Sequence, residues 1–289
     1  MTFDAFLEAA WNDHGDRPQE VADRLAASLH LAEAPEHIPQ LARLATHVCG
    51  EHLGEWQRGV ELLAALRSLP AYDGSPACEG ALTRGTATLR YAGGDAAALE
   101  PLASDDRVAV LALAAAALAG RNDFRRAIAA YTDALQRAAG GMPPASPALR
   151  ALAIGGNNLA TALEEKKDRD AFETAGMVAA AEAGLEYWKQ AGTWLEEERA
   201  EYRLARSLLE AGRPELAIGS ARRCIDVCQR NDAPPIEPFF GYVVLALAQR
   251  GAGDAAAFAS SRDQALRLYE QVPSEERRWC AAELAELGT

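Results

Sequence analysis

Short breaks between helical segments recur along this chain at a fairly regular spacing. The turn residues Gly94, Asn122, Lys167, Gly212 and Gly253 follow one another at intervals of 28 to 45 residues. Between the breaks, apolar residues recur with helical periodicity, and no stretch shows the period of two that is typical of strands. Glycine closing one helix and Asp or Asn opening the next are the expected stop and start signals. A helix–turn–helix unit that recurs at this spacing predicts a solenoid.

The best-formed unit covers residues 111–135. Its first helix carries Leu111, Ala115 and Leu118 on one face, the turn Gly-Arg-Asn-Asp follows, and the second helix carries Ala127 and Tyr131. Small residues at 115 and 127 let the two helices approach closely while the larger side chains fill the space around them. Weaker copies of the unit occupy residues 41–63, 159–190, 204–224 and 242–266.

This pattern resembles the tetratricopeptide repeat, whose small and aromatic positions it matches best in residues 111–135 and 204–224, and the resemblance extends over residues 37–272. It implies an all-α fold: a right-handed α-solenoid of stacked antiparallel helix pairs, with roughly 13–15 helices. One domain is expected over residues 1–289. Its subdivisions are more divergent N-terminal helices in 1–70, repeats in 71–272 and a C-terminal capping helix in 274–287.

Composition narrows the range of functions and compartments. A net charge of −13 and a pI near 4.9 disfavour nucleic-acid binding, which depends on clustered basic residues, and are typical of bacterial cytosolic proteins. The first residues carry Asp4 and Glu8 and do not form a basic segment followed by an apolar one, so no signal peptide is predicted. No apolar run approaches the roughly 20 residues that span a bilayer. A cytoplasmic protein without membrane association is therefore expected.

Cysteine and histidine patterns do not predict a metal site. Cys224 and Cys228 lie four residues apart, a spacing that suits helix packing better than a disulfide. The segment His47-Val-Cys49-Gly-Glu-His52 collects candidate ligands, but on an α-helix His47 and His52 would point about 140° apart. One α-helix could not present these side chains to a single ion, so no bound metal is expected.

Catalytic motifs are also absent from the sequence. It contains no phosphate-binding loop, no dinucleotide fingerprint, no nucleophile elbow and no zinc-protease signature. We therefore predict no catalytic residues and no cofactor, and we do not expect an enzyme.

The candidate binding surface is the concave groove that first helices line in tetratricopeptide proteins. Arg199, Arg203 and Arg206 are spaced i, i+4 and i+7, which places three guanidinium groups on one stripe of such a helix. These charges need partners, either acids of neighbouring helices or a carboxylate-bearing ligand held by bidentate contacts. The candidate ligand-binding residues are Asn157, Asn158, Arg199, Tyr202, Arg203 and Arg206.

Part of this set resembles the carboxylate clamp of some tetratricopeptide proteins, in which an Asn and two basic residues hold a peptide C-terminus. Asn158, Arg199 and Arg203 match that arrangement, whereas Ala112 and Ala116 stand where a Lys and an Asn are expected. The departure argues against binding of chaperone tails.

The predicted function is a protein–protein or protein–peptide interaction module without catalysis. The expected partner is a protein or peptide, including one with an exposed carboxylate, and neither nucleic acid nor membrane. Trp188 and Trp194 pack at a helix joint or anchor such a ligand. The alternatives are a small-molecule or peptide sensor of the tetratricopeptide type and an α-helical enzyme.

Overall fold

The computed structural model describes residues 1–288, and the regular structure in this range is helical. Short 3-10 helices, Leu29–Leu31, Ala96–Leu99 and Arg277–Cys280, and one π-helix, Val48–Leu53, accompany the α-helices. The α-helices of residues 1–288 are α1 (Phe3–Asp13), α2 (Pro18–Ala27), α3 (His37–His47), α4 (Trp56–Leu66), α5 (Pro76–Ala92), α6 (Ser104–Gly120), α7 (Phe124–Ala138), α8 (Pro147–Glu165), α9 (Ala171–Ala191), α10 (Trp194–Glu210), α11 (Pro214–Arg230), α12 (Ile236–Gly251), α13 (Ala255–Tyr269) and α14 (Ala281–Glu286).

This element order confirms the predicted all-α class. Fourteen α-helices fall within the expected 13 to 15, and residues 1–288 contain no β-strand. None of the described helices combines the length and apolar character that crossing a bilayer requires.

Residue contacts divide the chain into two compact units, Met1–Gly155 and Gly156–Thr289. The core of the first unit includes the fully buried side chains of Phe6 and Leu41. In the second unit, Phe239 of α12 is the largest buried side chain of a core that α12 and α13 share. Each unit thus buries an apolar core of its own, as compact units require.

In the first unit, α6 and α7 form the helix pair that residues 111–135 predict. Ala115 and Ala127 are both fully buried, so the small positions lie inside the pair as expected. Asn122 adopts a left-handed conformation in the turn (φ 62°), and the side chain of Asp123 caps the first turn of α7. Local capping and the small residues therefore fix this hairpin.

In the second unit, α10 and α11 form the other strong helix pair. Thr193 and Glu196 make a capping box at the start of α10, where the Thr193 N–H donates to the Glu196 carboxylate at 2.8 Å. Gly212 takes the left-handed conformation in the turn (φ 69°), and Pro214 begins α11. These capping and turn residues fix where α10 begins and ends.

The C-terminal segment is broken where the sequence predicts one capping helix over 274–287. The 3-10 helix Arg277–Cys280 precedes α14, and both are short. Cys280 and Leu287 are buried in the core that contains Phe239. The segment therefore covers apolar surface of the second unit. Its glutamates Glu283 and Glu286 contact α10.

The segment after α3 is a second irregular part of the chain. The chain continues from α3 into the π-helix Val48–Leu53, which ends at Gly54 in the left-handed conformation (φ 68°). A Cβ atom on Gly120 would lie 2.4 Å from the Glu51 carbonyl oxygen, so only glycine permits this close approach between the end of α6 and the π-helix.

Candidate functional site

A cleft of about 890 Å³ lies in the second unit, a volume within the range typical of ligand pockets. Its walls come from the C-terminal half of α8, the exposed stripe of α10, the start of α12 and the C-terminal segment. Seven glutamates and four basic residues line it, together with apolar side chains of α12 and the C-terminal segment. The cleft therefore offers both charge and apolar surface.

Helix α10 presents the three predicted arginines to this cleft. Arg199, Arg203 and Arg206 all line it, as the i, i+4, i+7 spacing requires. On the opposite face of the helix, Ala205 and Leu208 are buried. The amphipathic character of α10 therefore directs the arginine stripe into the cleft.

Each arginine of the stripe has a glutamate partner on another element. Arg199 forms a bidentate pair with Glu237 at the start of α12, with contacts of 2.5 and 3.2 Å. Arg203 pairs with the buried Glu164 of α8. The sequence left open whether acids of neighbouring helices or a bound ligand balance the arginine charges. For Arg199 and Arg203, acids of neighbouring helices do so.

Arg206, the third arginine, pairs with α14. Its guanidinium donates to Glu286 at 2.7 and 2.9 Å, while Arg203 and Arg206 are mostly buried. Arg199 differs, because 60% of its side chain stays exposed despite the contact with Glu237. Arg199 is therefore the arginine of the stripe that a ligand can reach most easily.

The other predicted site residues lie at different depths. Asn157 lines the cleft, whereas Asn158 does not; its side-chain oxygen accepts from Asn157 at 3.4 Å. Tyr202 lines the cleft, and its ring packs edge-on against Phe240. Burial raises the pKa of Tyr202, so its hydroxyl stays protonated and donates to Glu283 at 3.3 Å. Tyr202 thus links α10 to the C-terminal segment.

One of the carboxyl groups that line the cleft is buried. Glu198 is only 2% exposed, and burial followed by its hydrogen bond with Glu237 raises its pKa to about 10. The thiols of Cys224 and Cys228 donate to Glu198 at 3.2 and 3.4 Å. At neutral pH Glu198 is therefore a neutral, fully hydrogen-bonded acid.

The C-terminal segment supplies residues that sequence reasoning missed. Trp279 lines the cleft with 61% of its surface exposed, and the Arg278 guanidinium lies over its ring at 4.7 Å from the centroid. Trp188 is buried, and neither Trp188 nor Trp194 lines the cleft. In the sequence, Trp279 could have been noticed as an aromatic residue beside two arginines in an otherwise acidic segment. Its position at the cleft, however, depends on tertiary packing.

No family model and no curated protein matches the chain. Solved structures that match include two crystal structures named as putative kinesin light chain nearly identical TPR-like repeats of Podosopora anserina. One is 12% identical, with 81% of this chain and 93% of that chain covered and a TM-score of 0.45. The other is 13% identical, with coverage of 82% and 96% and a TM-score of 0.46. The fold is tetratricopeptide-like because its helices form antiparallel pairs such as α6–α7 and α10–α11.

Proposed function

We propose that the protein is a binding module whose cleft takes a peptide segment of a partner protein. The observation that carries this proposal is the exposed Trp279 ring at a cleft that also contains Ile236 and Phe240. Solvent-exposed tryptophan beside apolar and charged groups is the composition of an interface anchor, because the ring buries a large area at little entropic cost. The ligand therefore carries an apolar side chain that packs on Trp279.

The charges of the cleft favour a basic ligand. Three of its four basic residues are the arginines of α10, and these are already paired with glutamates. Other lining acids, Glu165 and Glu276, have no such arginine partner. Even with Glu198 neutral, the residues that line the cleft carry a net negative charge, and the chain as a whole is acidic. A lysine or arginine next to the apolar residue of the peptide would complement this field.

A peptide carboxylate is the competing ligand chemistry. It would have to bind at Arg199 and displace or share the bidentate contact with Glu237. Breaking a pair with a buried glutamate leaves that carboxylate without its partner, which is costly. The basic and apolar peptide is therefore the better fit.

The test is selection from a random-peptide display library on the wild-type protein. We expect the enriched sequences to combine Lys or Arg with an aromatic or aliphatic residue, and their affinity to fall at least about tenfold in Trp279→Ala, as for an interface anchor. Leu216→Ala is the matched control, because Leu216 is also an exposed apolar residue but does not line the cleft.

Other outcomes contradict the proposal. Enrichment of acidic or free-carboxylate peptides, with binding lost in the Arg199→Ala/Arg203→Ala variant, would favour the carboxylate ligand. Equal binding by wild type and Trp279→Ala would place the peptide outside this cleft.

A sensor of small molecules is the second candidate function, because the volume of the cleft also suits a drug-sized ligand. A thermal-shift screen of metabolites separates the two functions, since a compound that binds only the folded state raises the melting temperature. A hit whose shift is abolished by Trp279→Ala, together with no peptide enrichment, would support the sensor.

A further inference from the structure

Three histidines of the first unit converge although His14 is more than 30 residues from His47 and His52 in the sequence. His47 ends α3, His52 lies in the π-helix Val48–Leu53, and His14 follows α1. Their rings are 4.7 to 5.1 Å apart between centroids, and one ring nitrogen of each lies within 4.8 Å of the other two. On distance alone, three imidazoles this close fit a set of metal ligands.

The π-helix is the reason that His47 and His52 meet. On an α-helix the two side chains would point about 140° apart, and that prediction is wrong here because residues 48–53 form a π-helix. Hydrogen bonds in a π-helix join residues five apart, so side chains at i and i+5 lie on one face. The two Nε2 atoms are 3.1 Å apart. Two nitrogens bound to one tetrahedral zinc ion are about 3.3 Å apart, which follows from bonds of about 2.05 Å.

Partners on the far side of the rings orient two of the histidines. His47 Nδ1 lies 3.0 Å from the Glu51 carboxylate, and His14 Nδ1 lies 2.5 Å from the Trp11 carbonyl oxygen. Both partners are acceptors, so each Nδ1 carries the hydrogen and each Nε2 keeps its lone pair. Histidine ligands of metals are held in this way, with the second ring nitrogen donating to a carboxylate or a carbonyl.

The surroundings of the cluster allow an ion to enter and partly balance its charge. His14, His47 and His52 are half-buried, so solvent reaches the rings. Glu51 contributes a carboxylate in contact with His47, while the Arg121 guanidinium, which donates to the His52 carbonyl oxygen at 2.7 Å, opposes a cation. Neutral imidazoles bind borderline transition metals without needing a large negative charge.

We propose that His14, His47 and His52 form a binding site for a divalent transition metal ion of the zinc type. Three imidazole nitrogens fill three positions of a tetrahedral shell, and water takes the fourth. Glu51 and the Trp11 carbonyl group hold His47 and His14 in the binding tautomer. To bind, His52 must carry its hydrogen on Nδ1, which ends its Nε2 hydrogen bond with His47.

The experiment is a titration of the chelator-treated full chain with zinc by calorimetry at pH 7.5. We expect one saturable equivalent in the wild type, an affinity at least about 100-fold lower in His14→Ala and His47→Ala, and an affinity about tenfold lower in Glu51→Gln. His30→Ala is the matched control, because His30 is exposed and lies outside the cluster, so its affinity should equal that of the wild type.

A cobalt titration of the wild type tests the ligand type without any variant. Three imidazoles and water give visible d–d absorption without the intense near-ultraviolet band of a cobalt thiolate. That thiolate band would instead indicate the buried cluster of Glu198, Cys224 and Cys228 and would overturn the proposal. No saturable binding, or unchanged affinity in folded His14→Ala and His47→Ala proteins, would overturn it too. Circular dichroism in chelator checks that the variants fold.

Discussion

Replacing Glu198 by glutamine should make the protein more stable, by an amount that grows with pH. In the folded chain the pKa of Glu198 is raised to about 10, because its carboxyl group is buried and hydrogen-bonded to Glu237. In the unfolded chain it is close to its ordinary value of 4.5. Between these two values the folded state holds a proton that the unfolded state has released, so the free energy of unfolding falls as pH rises.

The size of the effect follows from the same two pKa values. Each pH unit inside that window lowers the free energy of unfolding by at most about 1.4 kcal/mol. The cumulative cost at pH 7 is therefore up to about 3 kcal/mol. Glutamine is neutral at every pH, can still donate toward Glu237 and can still accept from the thiols of Cys224 and Cys228. Glu198→Gln should remove this pH dependence while keeping the packing.

Urea unfolding followed by circular dichroism at pH 5.5, 7.0 and 8.5 measures the prediction. The advantage of Glu198→Gln over the wild type should widen by up to about 4 kcal/mol between the first and last pH. Glu182→Gln, on the exposed face of α9, is the matched control and should show no such widening. A Glu198→Gln advantage that stays constant across the three pH values would refute the assignment of a neutral, buried Glu198.

Two further predictions concern small residues where helices approach closely. Ala127→Leu should lower the melting temperature by several degrees, because Ala127 is fully buried where α6 and α7 meet; an unchanged melting curve would contradict that close contact. Gly155→Ala should destabilise the protein, since the new Cβ would lie 2.4 Å from the Ala112 carbonyl oxygen. Gly219→Ala should instead stabilise α11 by up to about 1 kcal/mol, because the new Cβ would make only an ordinary contact of 3.6 Å with the Arg223 guanidinium. A similar effect of both substitutions by calorimetry would argue against this prediction.

Local signals made most of the fold predictable. Helix ends follow from short-range chemistry, as at Gly212 and Pro214, where a residue that tolerates a left-handed conformation precedes one that favours the first turn. The weaker copy predicted over residues 159–190 is covered by the end of α8 and by α9, and Asp170 caps α9. Such signals act over a few residues, so they are readable without the tertiary structure.

The candidate site was predictable only in part. The spacing of Arg199, Arg203 and Arg206 predicts a common stripe because a helix fixes the angle between its residues. Their partners Glu164, Glu237 and Glu286 lie 38 to 80 residues away in sequence. Tertiary packing alone decides which acids meet which arginines, and likewise brings Trp279 to the cleft.

The sequence by itself determined the helical class, the helix pairs and the arginine stripe, because periodicity and capping are properties of neighbouring residues. The tertiary structure decided the neutral state of Glu198, which depends on burial, and the meeting of His14 with His47 and His52. That meeting required a π-helix, whose wider turn changes which side chains share a face. The close approach of Gly120 to the Glu51 backbone in the π-helix is also decided by the tertiary structure, because the two residues are distant in sequence.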